Sequence, residues 1–129
     1  MNESLKKQGM FSWNELMTKD VEAAKSFYGD LLGWKYEEQG MPDGKTYHII
    51  KAGEQMIGGI MAQCEQTKAM PPAWGPYVTV DDVDAMVAKS ESLGAKILLP
   101  PQDIPDTGRF AVIEDPQGAP LSLITYTDV

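Results

Sequence analysis

Few side chains in this chain could carry chemistry, and they are scattered. Glu15 stands between Trp13 and Met17 at alternate positions of Phe11–Thr18. A partly desolvated carboxylate in that setting suits a general acid or base. A structural ion pair is the favoured reading, with Arg109, the chain's only arginine, as one candidate partner. The guanidinium fork of Arg109 could instead hold a substrate carboxylate. His48, the single histidine, lies in the alternating run Tyr47-His48-Ile49-Ile50, so only one of Tyr47 and His48 can face a given side of a strand. Cys64, the single cysteine, has no histidine near it in sequence and excludes an intramolecular disulfide. The cluster Asp81-Asp82-Asp84 reads as helix capping and dipole compensation rather than a cation site. No glycine-rich phosphate loop, Ser/His/Asp pattern or hydrolase-like carboxylate pair is found.

The elements that must position these residues form a pattern written twice. Phe11–Thr18 reads as a strand, Asp20 as an N-cap, and Val21, Ala24, Phe27, Tyr28 and Leu31 as a helix closed by Gly33. Three strands follow: residues 34–39, 46–51 and 55–61, the first two joined by the turn Pro42-Asp43-Gly44. The second copy has a strand at 77–80, a helix capped by Asp81 or Asp82 and stopped by Gly94, and a strand at 96–99. A proline-bearing loop at 100–108 then leads to strands at 110–114 and 121–125. Asp20 and Asp82 lie 62 residues apart (82 − 20), half the chain of 129. That period is too long for a solenoid repeat and implies two similar modules with a cleft between them.

Length and composition fit one globular domain. The net charge of −8 argues against nucleic acid or an anionic membrane as partner. No apolar run approaches a bilayer span, and residues 1–9 carry Lys6 and Lys7 with no apolar segment behind them, so a cytoplasmic protein is expected. The expected layout is an N-terminal tail at 1–9, modules at 10–62 and 74–126, and a linker at 63–73 stiffened by Pro71-Pro72.

The phrases Leu16-Met17-Thr18-Lys19-Asp20, Phe27-Tyr28-Gly29-Asp30-Leu31-Leu32-Gly33-Trp34, Val80-Asp81-Asp82-Val83-Asp84-Ala85, Gly108-Arg109-Phe110-Ala111-Val112 and Asp115-Pro116-Gln117-Gly118-Ala119 resemble, in this order and spacing, the vicinal-oxygen-chelate superfamily. This is the glyoxalase/bleomycin-resistance/dioxygenase group. The resemblance implies an α+β fold of two βαβββ modules. Their strands form a curled, partly closed, barrel-like eight-stranded sheet with the helices outside. It also implies a homodimer.

Most enzymes of that superfamily resemble one another in a metal held by His, Gln or Glu from four cavity-facing strand positions. Counting back from Asp20 and Asp82 places two of these at Trp13 and Gly75, the end of the first module's last strand places one close to Gly59, and counting on from Asp115 places the fourth at Ser122. None is an ordinary metal ligand. The expectation is therefore no metal and no cofactor, which disfavours glyoxalase and dioxygenase chemistry. Trp13, Met17, Trp74, Gly75, Tyr77, Thr79, Gly59, Arg109 and Ser122 are the expected pocket lining. The flat apolar surfaces of Trp13, Tyr77 and Trp74 suit a small organic ligand or simply fill the core. Two functions stay open: a metal-independent binding protein, and a lyase or isomerase that uses Glu15 with Tyr77 or Arg109 to handle protons.

Overall fold

The computed structural model describes residues 3–41, 44–65 and 68–127. Pro42 and Asp43 of the expected turn lie outside the described residues. Among the described residues the chain forms β1 Phe11–Thr18, α1 Val21–Leu32, β2 Lys35–Gly40, β3 Thr46–Ala52 and β4 Gln55–Ala62. The second half forms β5 Ala73–Thr79, α2 Val83–Ser92, β6 Lys96–Ile104, β7 Gly108–Glu114 and β8 Pro120–Tyr126. This is the α+β, twice-written βαβββ order expected from the sequence. The chain divides into two compact units, one spanning Trp13–Gly75 and the other combining residues 3–12 with 76–127.

In the first unit the strands run in the order β2-β3-β4-β1. The two hairpin pairings are antiparallel and β1 lies parallel to β4, with Glu15 opposite Gly59 and Met17 opposite Met61. Asp20 caps α1 by accepting from the Ala23 amide at 3.0 Å. Gly33 ends the helix at φ 74°, a left-handed backbone that a side chain would disfavour. The core lies under α1, where Leu16, Ile50 and Ile60 pack with Val21, Ala24 and Tyr28. Period-two alternation then sends Trp13, Glu15, Met17, Tyr47, Ile49, Gly59 and Met61 to the opposite face.

The second unit repeats the plan with strands in the order β5-β8-β7-β6 and β5 parallel to β8. Asp82, not Asp81, caps α2, accepting from the Ala85 amide at 3.2 Å. The Asp81 amide donates to Gln8 Oε1 at 2.7 Å. Val80, Val83, Val87, Ala111 and Leu123 form the core under α2. Residues 3–9, which belong to the expected tail at 1–9, carry a 3-10 turn at Glu3–Lys6 and hydrogen bonds into this unit. The Gly9 amide donates to Thr79 O, and the Thr79 amide to Met10 O, each at 2.8 Å.

The proline-bearing loop expected at 100–108 is instead largely strand, since β6 continues through Pro100 and Pro101 to Ile104. β6 ends the sheet order and pairs with β7 alone, so an outward position without an N–H breaks no ladder. The register shifts between Ile97 and Leu99 and again between Leu99 and Gln102, which accommodates the two prolines.

Candidate functional site

In the first unit the face away from α1 is built on an aromatic pair. Trp13 Nε1 donates to Tyr47 Oη at 2.8 Å. Gly59 is buried, and a Cβ placed there would collide with the Tyr47 ring. The missing side chain on β4 is therefore what lets Tyr47 lie down across the sheet. Glu15 is half-buried and registered against Gly59, and Met17 is half-buried against Met61. The result is an apolar aromatic surface with a phenol oxygen and a carboxylate on one face. Tyr47 was not among the expected site residues. Alternation showed that either it or His48 would face this side, but the choice depends on the β3–β4 register, which places His48 against Ile60 on the α1 side.

In the second unit the face away from α2 carries Tyr77, Thr79, Phe110, Ser122 and Tyr126. Tyr77 is buried, with its ring centroid 6.2 Å from that of Phe110. Ser122 is half-buried and in register with both Tyr77 and Val112. The Thr79 hydroxyl donates to Leu5 O at 2.5 Å, so it holds the N-terminal segment. Tyr126 and Ser12 share a hydroxyl hydrogen bond of 2.7 Å. Burial pushes the Tyr126 phenol above its usual value, and the bond to Ser12 offsets part of that rise. Tyr126 lacked any motif or spacing that would mark it, and Phe110 stood in the Gly108–Val112 phrase with no sign of the face it takes.

Two expected lining residues stand elsewhere. Trp74 has the parity of Val78 and Val80, not of Tyr77, so it turns to the helix side. Its Nε1 donates to Tyr28 Oη at 3.2 Å, and its ring lies 5.4 Å from Tyr28 and 5.9 Å from Trp34. Arg109 has the parity of Ala111, which is in the core under α2. Its Nε and one terminal nitrogen grip Asp84 at 2.8 and 3.1 Å, and the other terminal nitrogen donates to Asp103 at 3.1 Å. That pairing holds the Asp84 carboxyl below its usual range, and Asp84 and Asp103, rather than Glu15, are the carboxylates that Arg109 grips.

Gly75 is half-buried, and a Cβ there would make ordinary contact with Glu15 O at 3.9 Å. The four positions assigned to metal ligands by resemblance do not fit that role. Trp13 offers only an N–H, already donated to Tyr47. The space above Gly59 is filled by the Tyr47 ring, Gly75 has no donor atom, and Ser122 is a neutral hydroxyl. Among the described residues no group of three His, Cys, Asp or Glu lies close enough to hold a metal ion. None of the described helices is long and apolar enough to cross a membrane.

The family model of the glyoxalase/bleomycin resistance protein/dioxygenase superfamily matches residues 10–123. The chain is 38% identical over 116 residues to the Mycobacterium tuberculosis protein named "Putative glyoxylase CFP32", covering 90% of this chain and 44% of that one. It is 27% identical over 127 residues to the anthracycline biosynthesis protein DnrV of Streptomyces peucetius, covering 89% and 46%. The chain thus spans about half the length of the curated relatives it matches. Among solved structures, methylmalonyl-CoA epimerase from Mycobacterium tuberculosis superposes with a TM-score of 0.67 at 18% identity, covering 99% of this chain and 94% of that one. A variant of the Streptomyces coelicolor epimerase, in complex with 2-nitronate-propionyl-CoA, gives 0.70 at 15% identity, covering 95% and 100%. At these identities the structural likeness shows the fold. The profile match over most of the chain, on a twice-written βαβββ frame, shows that this protein belongs to the glyoxalase/bleomycin resistance protein/dioxygenase superfamily.

Proposed function

We propose that this protein binds a small, planar organic molecule through its aromatic strand faces, without a metal at the superfamily's usual positions. The observation that carries this reading is the Trp13–Tyr47 pair laid across Gly59, which puts a flat apolar surface where a ligand set would otherwise stand. Tyr77 and Phe110 give the second unit a comparable surface. The relatives support a small organic ligand: two are named for anthracycline biosynthesis, and an epimerase of the same fold was solved with methylmalonyl-CoA. On this reading the protein works in the cytoplasm as a homodimer.

The test is a thermal-shift and native mass spectrometry screen with planar aromatic acids and quinones, followed by titration of the hits against Trp13→Ala. A hit that stabilises the protein and binds at least about tenfold more weakly to the variant supports the proposal. Hits that bind wild type and Trp13→Ala alike would remove it. A second reading, a lyase or isomerase, rests on Glu15 standing in register with Gly59 on the Trp13 face. It requires Glu15→Gln to abolish turnover of a bound hit while leaving its affinity within a fewfold of wild type. Undiminished turnover in that variant excludes Glu15.

A further inference from the structure

The duplicated frame supplies an internal control for α1. Counted from the caps Asp20 and Asp82, α1 carries Phe27 and Tyr28 where α2 carries Lys89 and Ser90. α2 buries Val83 and Val87, yet no residue of α1 is fully buried. Phe27, Leu31, Leu32 and Trp74 instead stand 60, 63, 52 and 40% exposed. The rings of this region are linked. Phe27 meets Tyr28 edge-on at 5.0 Å, and Tyr28, Trp34 and Trp74 lie 5.4 to 5.9 Å from one another. A single exposed leucine means little, but a linked apolar patch marks a surface that another molecule covers.

The size and shape of the patch select the occupant. At roughly 200 Å² for each large side chain when fully exposed, Phe27, Leu31, Leu32 and Trp74 leave roughly 400 Å² open. Each partner in a stable dimer covers about 800 Å² around an apolar centre, so the patch is the size of such a centre. The net charge of −8 turns away an anionic membrane. The patch also fits itself. Ala23, Phe27 and Leu31 follow one another at every fourth residue and form one ridge of α1. A two-fold axis at Phe27, with the two helices antiparallel, sets Ala23 of each copy against Leu31 of the other, so small meets large twice. The same pairing sets Glu22 against Leu32 and Asp30 against Ala24, so no carboxylate of α1 faces another. Lys25 is held by Glu22 at 3.4 Å, and the opposed helix dipoles attract.

We infer that this face of α1 docks a second copy of the chain, helix against antiparallel helix about Phe27. This interface rests on the homodimer of the function proposed above and says which surface makes it.

Sedimentation velocity of the full chain over a range of concentrations tests it. Wild type is expected to be a dimer. Phe27→Lys, which copies what α2 carries at the same place, should keep the far-UV spectrum and weaken dimerisation at least about a hundredfold. Ala23→Leu alone and Leu31→Ala alone should each weaken it about tenfold, one by overpacking and the other by lost contact. The double variant exchanges the two residues across the axis and should recover wild-type association. If Phe27→Lys does not fold, the exchange of Ala23 and Leu31 still decides. A Phe27→Lys protein that stays dimeric overturns the interface and leaves the homodimer standing. A double variant no better than its singles overturns the two-fold at Phe27. A wild type that is monomeric throughout overturns interface and homodimer together and leaves the face to a different partner.

Discussion

Asp115 closes the β7–β8 turn with backbone contacts alone. Its Oδ1 accepts from the amides of Gln117 at 2.9 Å and Ala119 at 3.0 Å. These bonds, led by that from Ala119, hold the carboxyl below its ordinary value of 3.8. A depressed folded value contributes stability above the unfolded value and loses it as pH falls through the folded one. Asp115→Ala should therefore melt at a lower temperature than wild type at neutral pH, with the gap closing on acidification. Paired melts from neutral pH down to about pH 2 check this, and a gap that stays constant contradicts it. At this scale the caps were legible: Asp20 sits just before an apolar period and makes the bond that its type and place predict. The partner of Arg109 was not legible. Which carboxylate its fork finds depends on strand parity and on where α2 lies, neither of which is written beside residue 109 in the sequence. Glu15 was the reasonable guess from chemistry, and Asp84 is the residue that geometry supplies.

The adjacent glycines of β4 do different jobs. Gly58 lies opposite Asn14 of β1, and a Cβ there would collide with the Asn14 carbonyl oxygen, a backbone atom of the neighbouring strand. Gly59 meets the far end of the Tyr47 side chain, which can swing away at the expense of its bond to Trp13. Gly58→Ala should thus destabilise the first unit by about 1–3 kcal/mol, the cost of overpacking. Gly59→Ala should cost closer to ~1 kcal/mol and alter tryptophan emission. Denaturant melts of the two variants decide, and the reverse order of stability contradicts the assignment. The glycine pair was legible as a place of close approach, but not which neighbour approached each residue. β6 makes the same point about elements. Pro100 and Pro101 read as loop because a central strand rejects proline, yet the strand lies at the end of its sheet order, where proline is tolerated. Edge position is a property of topology, and local composition does not carry it.

Across the whole molecule the duplication explains why so much of the fold could be read. Each half repeats strand, aspartate cap, helix and three strands, and each sheet joins its first strand in parallel to its last. The two helices nonetheless bury different amounts. α2 buries Val83 and Val87, whereas no residue of α1 is fully buried. The same frame carries different residues on the faces away from the helices, and those residues decide the function. Four strand positions that hold a metal in many relatives by resemblance carry Trp13, Gly59, Gly75 and Ser122 here. Trp13 is committed to Tyr47, which itself fills the space above Gly59. On the function proposed above, this aromatic pair takes the place of a metal centre. Elemental analysis of protein purified without chelator tests it most directly. No stoichiometric transition metal is expected, and one metal ion per chain retained through purification would contradict that function.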